Sequence, residues 1–263
     1  MATLRERYGE WAVVTGASAG IGTAFARALA SEGVSCVLTA RRTDRLEALA
    51  TELRDTHGVQ ALVEAVDLGV PGGAEQLLGA IAHLPIGILV NNAGFGGAGR
   101  FDKLDAGRLQ SMVHLNCVVP VVLTRALLPG MLERGRGAMI VVGSIAGRQP
   151  LPLHGVYSAT KAFDRFLGES LWAEMQGTGV DVLVLEPGAT ETEFQAVAGE
   201  LAHEGEPPEQ VVAVALAALG RQPSVISGWF NWLRAQSARF VPDSIVLRLA
   251  HQVTSAWTPE ELR

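Results

Sequence analysis

Tyr157 and Lys161 are the two residues of this chain whose types and spacing most directly suggest chemistry. They lie four positions apart, in a chain with two tyrosines, two lysines and nineteen arginines. On a helix, positions i and i+4 share one face, with about 5–6 Å between their Cβ atoms. The ammonium would favour the ionised phenol, bringing a group with a pKa of about 10 closer to neutrality. The spacing predicts a general acid or base; the plainer alternative is a buried tyrosine beside a snorkelling lysine.

A glycine-rich turn lies near the start of the chain. Residues 15–22 read TGASAGIG, directly after an apolar strand and directly before the helical stretch TAFARALAS. Glycines permit a tight turn and a close backbone approach to a pyrophosphate, which the N–H groups of the helix terminus would face. The predicted dinucleotide-binding residues of this turn are Gly16, Ser18, Gly20, Ile21 and Gly22.

Two arginines indicate which dinucleotide binds. About 20 residues beyond such a turn, an acidic residue typically binds the ribose 2′-hydroxyl, whereas an arginine accommodates a 2′-phosphate. Arg41 and Arg42 occupy this place and no carboxylate accompanies them. The pair favours NADP(H) over NAD(H); the alternative is that both arginines simply begin a solvated helix.

Short apolar runs alternate with helical patterns through most of the chain. Near-continuous apolar runs are typical of strands covered on both faces. Such alternation predicts an α/β fold, with a doubly wound parallel sheet that binds ligands at the carboxyl ends of its strands. The predicted strands are Trp11–Thr15, Ser35–Ala40, Gln60–Val66, Ile88–Asn91, Ala138–Gly143, Val180–Glu186 and, more weakly marked, Ser224–Ser227.

Several motifs in a fixed order give the chain a resemblance to a known family. They are the glycine turn, the segment Asn91-Asn92-Ala93-Gly94, Ser144 thirteen residues before Tyr157, and Lys161. Over about residues 10–195 the chain resembles the short-chain dehydrogenase/reductase family. The resemblance implies a Rossmann-type sheet of about seven strands in a single domain over residues 1–263, and pairing into a homodimer or homotetramer.

The resemblance also implies roles for residues that would be unremarkable alone. Asn116 matches a helix asparagine that holds a water linked to the catalytic lysine. Asp67, with Leu68, looks like the segment that contacts adenine. The remaining residues implied to line the cofactor are Asn91, Ala93 and Gly94, and, beside the nicotinamide, Pro187, Gly188, Thr190 and Thr192; Tyr157 and Lys161 belong to both sets.

The reaction can be reasoned from its chemistry. A carbonyl that accepts hydride develops alkoxide character, so it needs positioned hydrogen-bond donors and a proton. We expect Ser144 to donate to that oxygen, Tyr157 to transfer the proton and Lys161 to favour the tyrosinate. Two alternatives stay open: a cofactor-binding sensor or scaffold without turnover, and a cofactor-retaining epimerase or dehydratase.

The substrate is expected to be a largely apolar ketone, aldehyde or secondary alcohol. The segments near the reactive residues offer mostly apolar side chains, with Arg100 and Arg148 as the only candidates for binding an anionic group. The candidate pocket residues are Phe95, Leu151, Leu153, Val156 and Phe194, with Gln149 and His154 as polar members.

Composition and charge exclude some classes of binding partner and indicate the cellular compartment. A net charge of −6 and scattered arginines argue against nucleic acid. Residues 1–10 carry charges and no apolar signal segment, and nowhere do eighteen uncharged apolar residues run together. Cys36 and Cys117 are expected to be buried free thiols, and the histidines form no ligand pair, so no metal is expected. These features predict a cytoplasmic protein.

The tail over about residues 195–263 carries no family motif but is rich in aromatic residues. Trp229, Phe230, Trp232 and Phe240 alternate with arginines, before a helical stretch over Ser244–Val253. The tail is predicted to be a lid, a core cover or a subunit contact. Peripheral membrane contact is a less favoured alternative.

Overall fold

The computed structural model describes residues 2–237 and 241–263. Its strands form one seven-stranded parallel sheet in the order β3-β2-β1-β4-β5-β6-β7. The strands are β1 (Trp11–Thr15), β2 (Ser35–Thr39), β3 (Ala61–Glu64), β4 (Ile86–Asn91), β5 (Gly137–Val142), β6 (Val180–Glu186) and β7 (Ser224–Ile226).

The predicted strands are all confirmed, with ends that differ by up to two residues. The largest differences are at β3, which is shorter than predicted at its C-terminal end, and at β4, which begins two residues earlier. The central strands are buried along their whole length. Burial on both faces explains why their sequences are continuously apolar rather than alternating.

Helices cover both faces of the sheet. They are α1 (Leu4–Tyr8), α2 (Gly20–Ser31), α3 (Thr43–His57), α4 (Gly73–Ile81), α5 (Ala106–Val113), α6 (Val119–Glu133), α7 (Gly155–Glu174), α8 (Phe194–Ala198), α9 (Pro208–Ala218), α10 (Trp229–Ser237) and α11 (Asp243–Trp257). On β1, Ala12 and Val14 face the core beneath α2, α3 and α9, whereas Trp11 and Val13 face the core beneath α4 and α6.

The chain order reverses direction at β1. This strand pairs with β2 on one side and with β4 on the other, so the connections leave the sheet towards opposite faces. A crevice opens at the carboxyl ends of the strands wherever such a reversal occurs. The glycine turn after β1 and the segment after β4 therefore meet at the same edge.

A π-helical turn, His114–Val118, joins α5 to α6 and makes one helical stretch over Ala106–Glu133. By length and composition alone, this stretch is apolar enough to cross a membrane. However, Val119, Leu123 and Met131 pack into the core under the sheet. A core helix of a globular domain passes the same test, but packing accounts for only part of this stretch, because Val118, Val121 and Leu132 are 43%, 40% and 37% exposed.

The C-terminal tail contributes to the sheet and to the cavity at its edge. β7 pairs with β6, and α9 packs on α2. Trp257 of α11 stacks on His203 at 4.5 Å between ring centroids. In contrast, Trp229 and Phe230 are 78% and 64% exposed, so these aromatic residues do not cover an apolar core as the sequence suggested. Phe240 lies outside the described residues.

Candidate active site

The glycine turn is built by close backbone contacts that a side chain would prevent. Gly16 and Gly20 have φ of 67° and 54°, in the left-handed region that favours glycine. A Cβ on Gly22 would lie 2.3 Å from the carbonyl oxygen of Gly16. The turn leads directly into α2, whose first turn has no side-chain cap and no acidic residue. Its N–H groups are therefore available to an anionic ligand.

Side-chain hydrogen bonds of Asn92 and Thr15 join this turn to the segment after β4. Asn92 Nδ2 donates to the carbonyl oxygens of Thr15 at 2.8 Å and Gly16 at 3.4 Å. Thr15 Oγ1 accepts the N–H groups of Asn92 and Ala93, both at 2.9 Å. Sequence reasoning chose Asn91 instead. Asn91 is buried and donates to Thr124 Oγ1 of α6, because successive residues of a strand point to opposite faces.

The two arginines after β2 lie at the edge of the same crevice but differ in their partners. Arg42 donates to Ser18 Oγ at 3.1 Å and to Glu193 Oε2 at 2.6 Å. Arg45 also donates to Glu193, at 2.7 Å. Arg41 is exposed and has no hydrogen-bond or ion-pair partner among the residues that the structure describes. Its guanidinium is thus available to a ligand at the end of β2.

Ser144, Tyr157 and Lys161 come together where the sheet ends. Ser144 follows β5, and its Oγ accepts the N–H of Ala146 at 3.1 Å and lies 3.4 Å from the carbonyl oxygen of Pro187. Tyr157 and Lys161 lie one turn apart near the N-terminus of α7, as predicted. Lys161 Nζ donates to the carbonyl oxygen of Val142 at 2.8 Å and to Asp164 Oδ2 at 2.9 Å.

The expected lowering of the Tyr157 pKa towards neutrality is wrong for this structure. Burial raises the pKa of Tyr157, and the charge of Lys161 and a hydrogen bond with Ser144 offset that effect only in part. Burial likewise opposes the charged form of Lys161, but the Asp164 carboxylate and Tyr157 outweigh it and raise the pKa of Lys161. Sequence spacing indicated the attraction between phenol and ammonium, but it could not weigh the cost of desolvation.

Asn116 lies in the π-helical turn behind the site. It is 1% exposed, and its amide group bonds both the N–H and the carbonyl oxygen of Phe95, at 3.2 and 3.0 Å. Nδ2 also donates to Thr160 Oγ1 of α7 at 3.0 Å. Asn116 therefore joins the segment after β4 to α7 and does not line the crevice. Its role through a bound water stays a prediction.

One cavity of about 950 Å³ connects the glycine turn with the reactive residues. Gly22, Asn91 and Asn116 do not line it; Gly22 instead permits close packing of α2 on the turn. The predicted site residues that line the cavity are Gly16, Ser18, Gly20, Ile21, Arg41, Arg42, Asp67, Leu68, Ala93, Gly94, Ser144, Tyr157, Lys161, Pro187, Gly188, Thr190 and Thr192.

The other half of the cavity is lined by apolar side chains together with polar ones, among them Arg108, Gln149 and Glu200. Phe194 of α8 packs on the Tyr157 ring, with 5.3 Å between the ring centroids. Leu115 and Val197 complete this wall with Trp257 of the tail. Of the predicted pocket residues, Phe95, Gln149, Leu151, His154 and Phe194 line the cavity, whereas Leu153 and Val156 do not.

A polar cluster lies in the same half of the cavity and includes His154, which the sequence predicted as a polar member of the pocket. Glu200 Oε1 lies 3.1 Å from His154 Nε2, and Glu200 Oε2 lies 3.2 Å from His203 Nε2. Burial would raise the pKa of Glu200, but its hydrogen bonds with both histidines lower it. The cluster holds the end of α8 against the start of α7. Glu200 and His203 are only three residues apart, but the fold brings His154 to them from 46 residues away.

Arg148 is not available as an anion ligand for a substrate. Its guanidinium makes two hydrogen bonds with Glu186, at 2.7 and 2.5 Å, and Glu186 is fully buried at the end of β6. Arg100 pairs with Asp102 at the surface. The pair of Arg148 with Glu186 ties the segment after Ser144 to the residue before Pro187. The same pair compensates the charge of the buried Glu186.

The residues present fit a dinucleotide cofactor. An uncapped helix N-terminus, a turn of small residues and an unpaired arginine lie along one continuous crevice. The helix N-terminus and the close backbone of the turn suit a pyrophosphate. The arginine suits a phosphate on the ribose 2′ position. Together the doubly wound sheet and this crevice define a dinucleotide-binding α/β enzyme fold. Among the described residues, no group of three or more His, Cys, Asp or Glu side chains could hold a metal ion.

Comparison with known proteins gives the family. The family described as short chain dehydrogenase matches residues 10–201. A 7beta-hydroxysteroid dehydrogenase of Collinsella aerofaciens is 34% identical over 235 residues, covering 87% of this chain and 89% of that protein. The chain therefore belongs to the short-chain dehydrogenase/reductase family and is an oxidoreductase of that family.

Solved structures agree with this placement. A 7beta-hydroxysteroid dehydrogenase structure aligns with a TM-score of 0.88 and 31% identity, over 94% of this chain and 99% of that one. A short-chain dehydrogenase from Sphingobium yanoikuyae, in complex with NADPH, aligns with a TM-score of 0.78 and 32% identity, over 88% and 94% of the two chains. Similarity of this extent includes the tail as well as the family motifs.

Proposed function

We propose that the protein is an NADP(H)-dependent oxidoreductase that interconverts a bulky, largely apolar ketone and the corresponding secondary alcohol. The observation that carries this proposal is one cavity in which Ser144, Tyr157 and Lys161 lie between the glycine turn and a wall that includes Phe194, Val197 and Trp257. A volume of about 950 Å³ accommodates a cofactor together with a substrate of several fused rings. The similarity to hydroxysteroid dehydrogenases makes steroid ketones the first substrates to test.

The residues of the site have distinct tasks in this proposal. When bound, the nicotinamide supplies or accepts the hydride. Ser144 donates a hydrogen bond to the oxygen that develops charge, and Tyr157 gives that oxygen its proton during reduction. During oxidation Tyr157 takes the proton back. The positive charge of Lys161 favours the tyrosinate, and Phe194 excludes water from the phenol ring.

Preference for NADP(H) over NAD(H) is proposed from the arginines. The unpaired Arg41 lies where a ribose 2′-phosphate would extend, and Arg42 lies beside it, held by Ser18 and Glu193. A ribose 2′-phosphate bound between two guanidinium groups would make charge-assisted hydrogen bonds. NAD has no 2′-phosphate and would not make them. The solved relative with bound NADPH supports the same choice.

The assembly and location stay proposals as well. Phe163 and Phe166 lie on one face of α7 and are 40% and 64% exposed, with the Arg165 guanidinium over the Phe166 ring. We expect this face to pair two copies into a homodimer or homotetramer, in the cytoplasm and without nucleic acid. Peripheral membrane contact through the exposed Trp229 and Phe230 is the less favoured arrangement.

An absorbance assay at the nicotinamide band tests the reaction. Purified protein with NADPH is offered a steroid ketone, a long-chain 3-oxoacyl thioester and a small aliphatic ketone, and each reaction is repeated with NADH. We expect cofactor consumption with the steroid ketone and a lower KM for NADPH. Cofactor binding without consumption on any ketone would support the sensor alternative. Product change without net consumption would support an epimerase or dehydratase.

A matched pair of variants tests the role of the phenol. Tyr157→Phe keeps the ring against Phe194 but loses the transferable proton, so turnover should fall by about 100-fold to 10,000-fold while NADPH still binds. Tyr8→Phe is the control, since it removes the chain's other phenol, which bonds Asp181 far from the cavity. Near-normal turnover in Tyr157→Phe would contradict the mechanism.

A further inference from the structure

Lys161 has a buried acidic partner that the proposed reaction does not use. Asp164 lies one turn after Lys161 on α7, and the two side chains are 3% and 7% exposed. Asp164 Oδ2 accepts a hydrogen bond from Lys161 Nζ at 2.9 Å, and Asp164 Oδ1 has no hydrogen-bond partner among the described residues. A carboxylate this deeply buried is costly unless it is paired, so its only strong interaction is with the lysine.

The geometry at Lys161 Nζ leaves one direction open. An ammonium carries three N–H donors. One is taken by the carbonyl oxygen of Val142 at the end of β5, and a second by Asp164. Lys161 itself lines the cavity, and the Cβ position of Gly94 on the cavity wall is 3.7 Å from its Nζ. The third donor is therefore the one left for the cavity.

Resting on the function proposed above, we propose that Asp164 is a positioning residue that keeps Lys161 charged and aims its free donor at the cavity. Through that charge, Asp164 also governs the pH range in which Tyr157 can give up its proton. The residue does not touch the substrate or the reacting atoms. Its effect reaches them only through Lys161.

Electrostatics agree with this arrangement. The charge of Asp164 is one of the interactions that raise the pKa of Lys161 against burial. The same charge adds to burial in raising the pKa of Tyr157. The ionisable groups that face the pair are Tyr157 on α7, Cys117 on the π-helical turn and, beyond Tyr157, Glu200 at the end of α8. Removing the negative charge should therefore lower the proton affinity of both Lys161 and Tyr157.

The composition of the chain permits a direct test. Because the protein has two tyrosines and two lysines, labelling tyrosine at Cζ and lysine at Cε gives four carbon signals in an NMR titration. The Tyr157→Phe variant identifies one tyrosine signal, and Tyr8 and Lys103 serve as internal references. In Asp164→Asn we expect the Lys161 midpoint to fall by about one pH unit or more, the typical effect of losing an adjacent opposite charge. The Tyr157 midpoint should move in the same direction.

Glu169→Gln is the matched control, because it removes a negative charge from the same helix. Glu169 pairs with Arg165 at 3.0 Å in a more exposed setting, away from the cavity. We expect no movement of the Lys161 or Tyr157 midpoints in this variant. Equal shifts in both variants, or unchanged midpoints in Asp164→Asn, would overturn the proposal. If Asp164→Asn does not fold, the titration of the wild-type protein still tests the proposal. A Lys161 midpoint at a lower pH than that of a free lysine side chain would overturn the proposal.

The activity readout separates this proposal from the function on which it rests. With an accepted alcohol substrate, the rise of kcat with pH should move to lower pH in Asp164→Asn, while the KM for the alcohol changes little. If no substrate is turned over but the NMR midpoints move as expected, the proposed function fails and the positioning of Lys161 stands. If turnover is found and the midpoints do not move, the role of Asp164 alone is refuted.

Discussion

The ion pair of Glu186 with Arg148 should be costly to break, because both side chains are largely buried. Glu186 is 0% exposed and the side chain of Arg148 is 11% exposed, and they share two hydrogen bonds. In Glu186→Gln, one amide N–H would face the guanidinium and the arginine charge would lose its partner in a dry site. Breaking a buried pair this way costs about 3–5 kcal/mol. For a chain of this size, 3 kcal/mol corresponds to a Tm lower by roughly 6–12 °C.

The exposed pair of Arg27 with Glu52 provides a control with the same two-bond geometry. Its hydrogen bonds measure 2.7 and 2.8 Å, but the side chains are 46% and 42% exposed. Glu52→Gln should cost no more than about 1 kcal/mol, because water and salt screen such pairs. Urea denaturation of wild type and both variants measures the free energy of unfolding. Equal losses in the two variants would refute the reasoning that burial sets the magnitude.

Three further predictions follow from single contacts. Gly22→Ala should weaken NADPH binding at least tenfold and lower the free energy of unfolding by about 1–3 kcal/mol, since its Cβ would overlap a backbone oxygen of the turn. Gly155 has open space around it, so Gly155→Ala should change neither quantity. Unchanged NADPH affinity in Gly22→Ala would contradict the packing argument. Burial raises the pKa of Cys36 to about 12, whereas Cys117 is half-buried rather than buried as expected, and partial burial with the charge of Asp164 raises its pKa to about 11. Iodoacetamide at pH 8 should therefore modify Cys36 only after unfolding and Cys117 more slowly than a free thiol, as mass spectrometry of the adducts would show. Phe166→Asp should convert the expected dimer or tetramer to monomer in light scattering, and an unchanged mass would exclude this face as the contact.

The fold could be predicted from the sequence because the patterns that mark its strands and helices are local and repeated. Apolar runs marked the strands, most clearly the central ones, and Gly58, with a φ of 66°, ends α3. The glycine turn and the spacing of Tyr157 with Lys161 are also local, since each depends on residues within one turn or one helix. Such features are readable before any tertiary contact is known.

The features that could not be predicted from the sequence depend on which residues the fold brings together and on how far it removes them from water. Asn91 and Asn92 are neighbours in the chain, yet only the packing of β4 and the segment after it beside β1 brings Asn92 to the glycine turn. Desolvation, a property of the packed interior, raises the pKa of Tyr157 where spacing alone suggested lowering. The chain by itself determined the sheet, the cofactor turn and the reactive pair. Tertiary structure decided the polarity around that pair, because burial and partners from distant segments, such as the Val142 carbonyl oxygen beside Lys161, arise only when those segments pack.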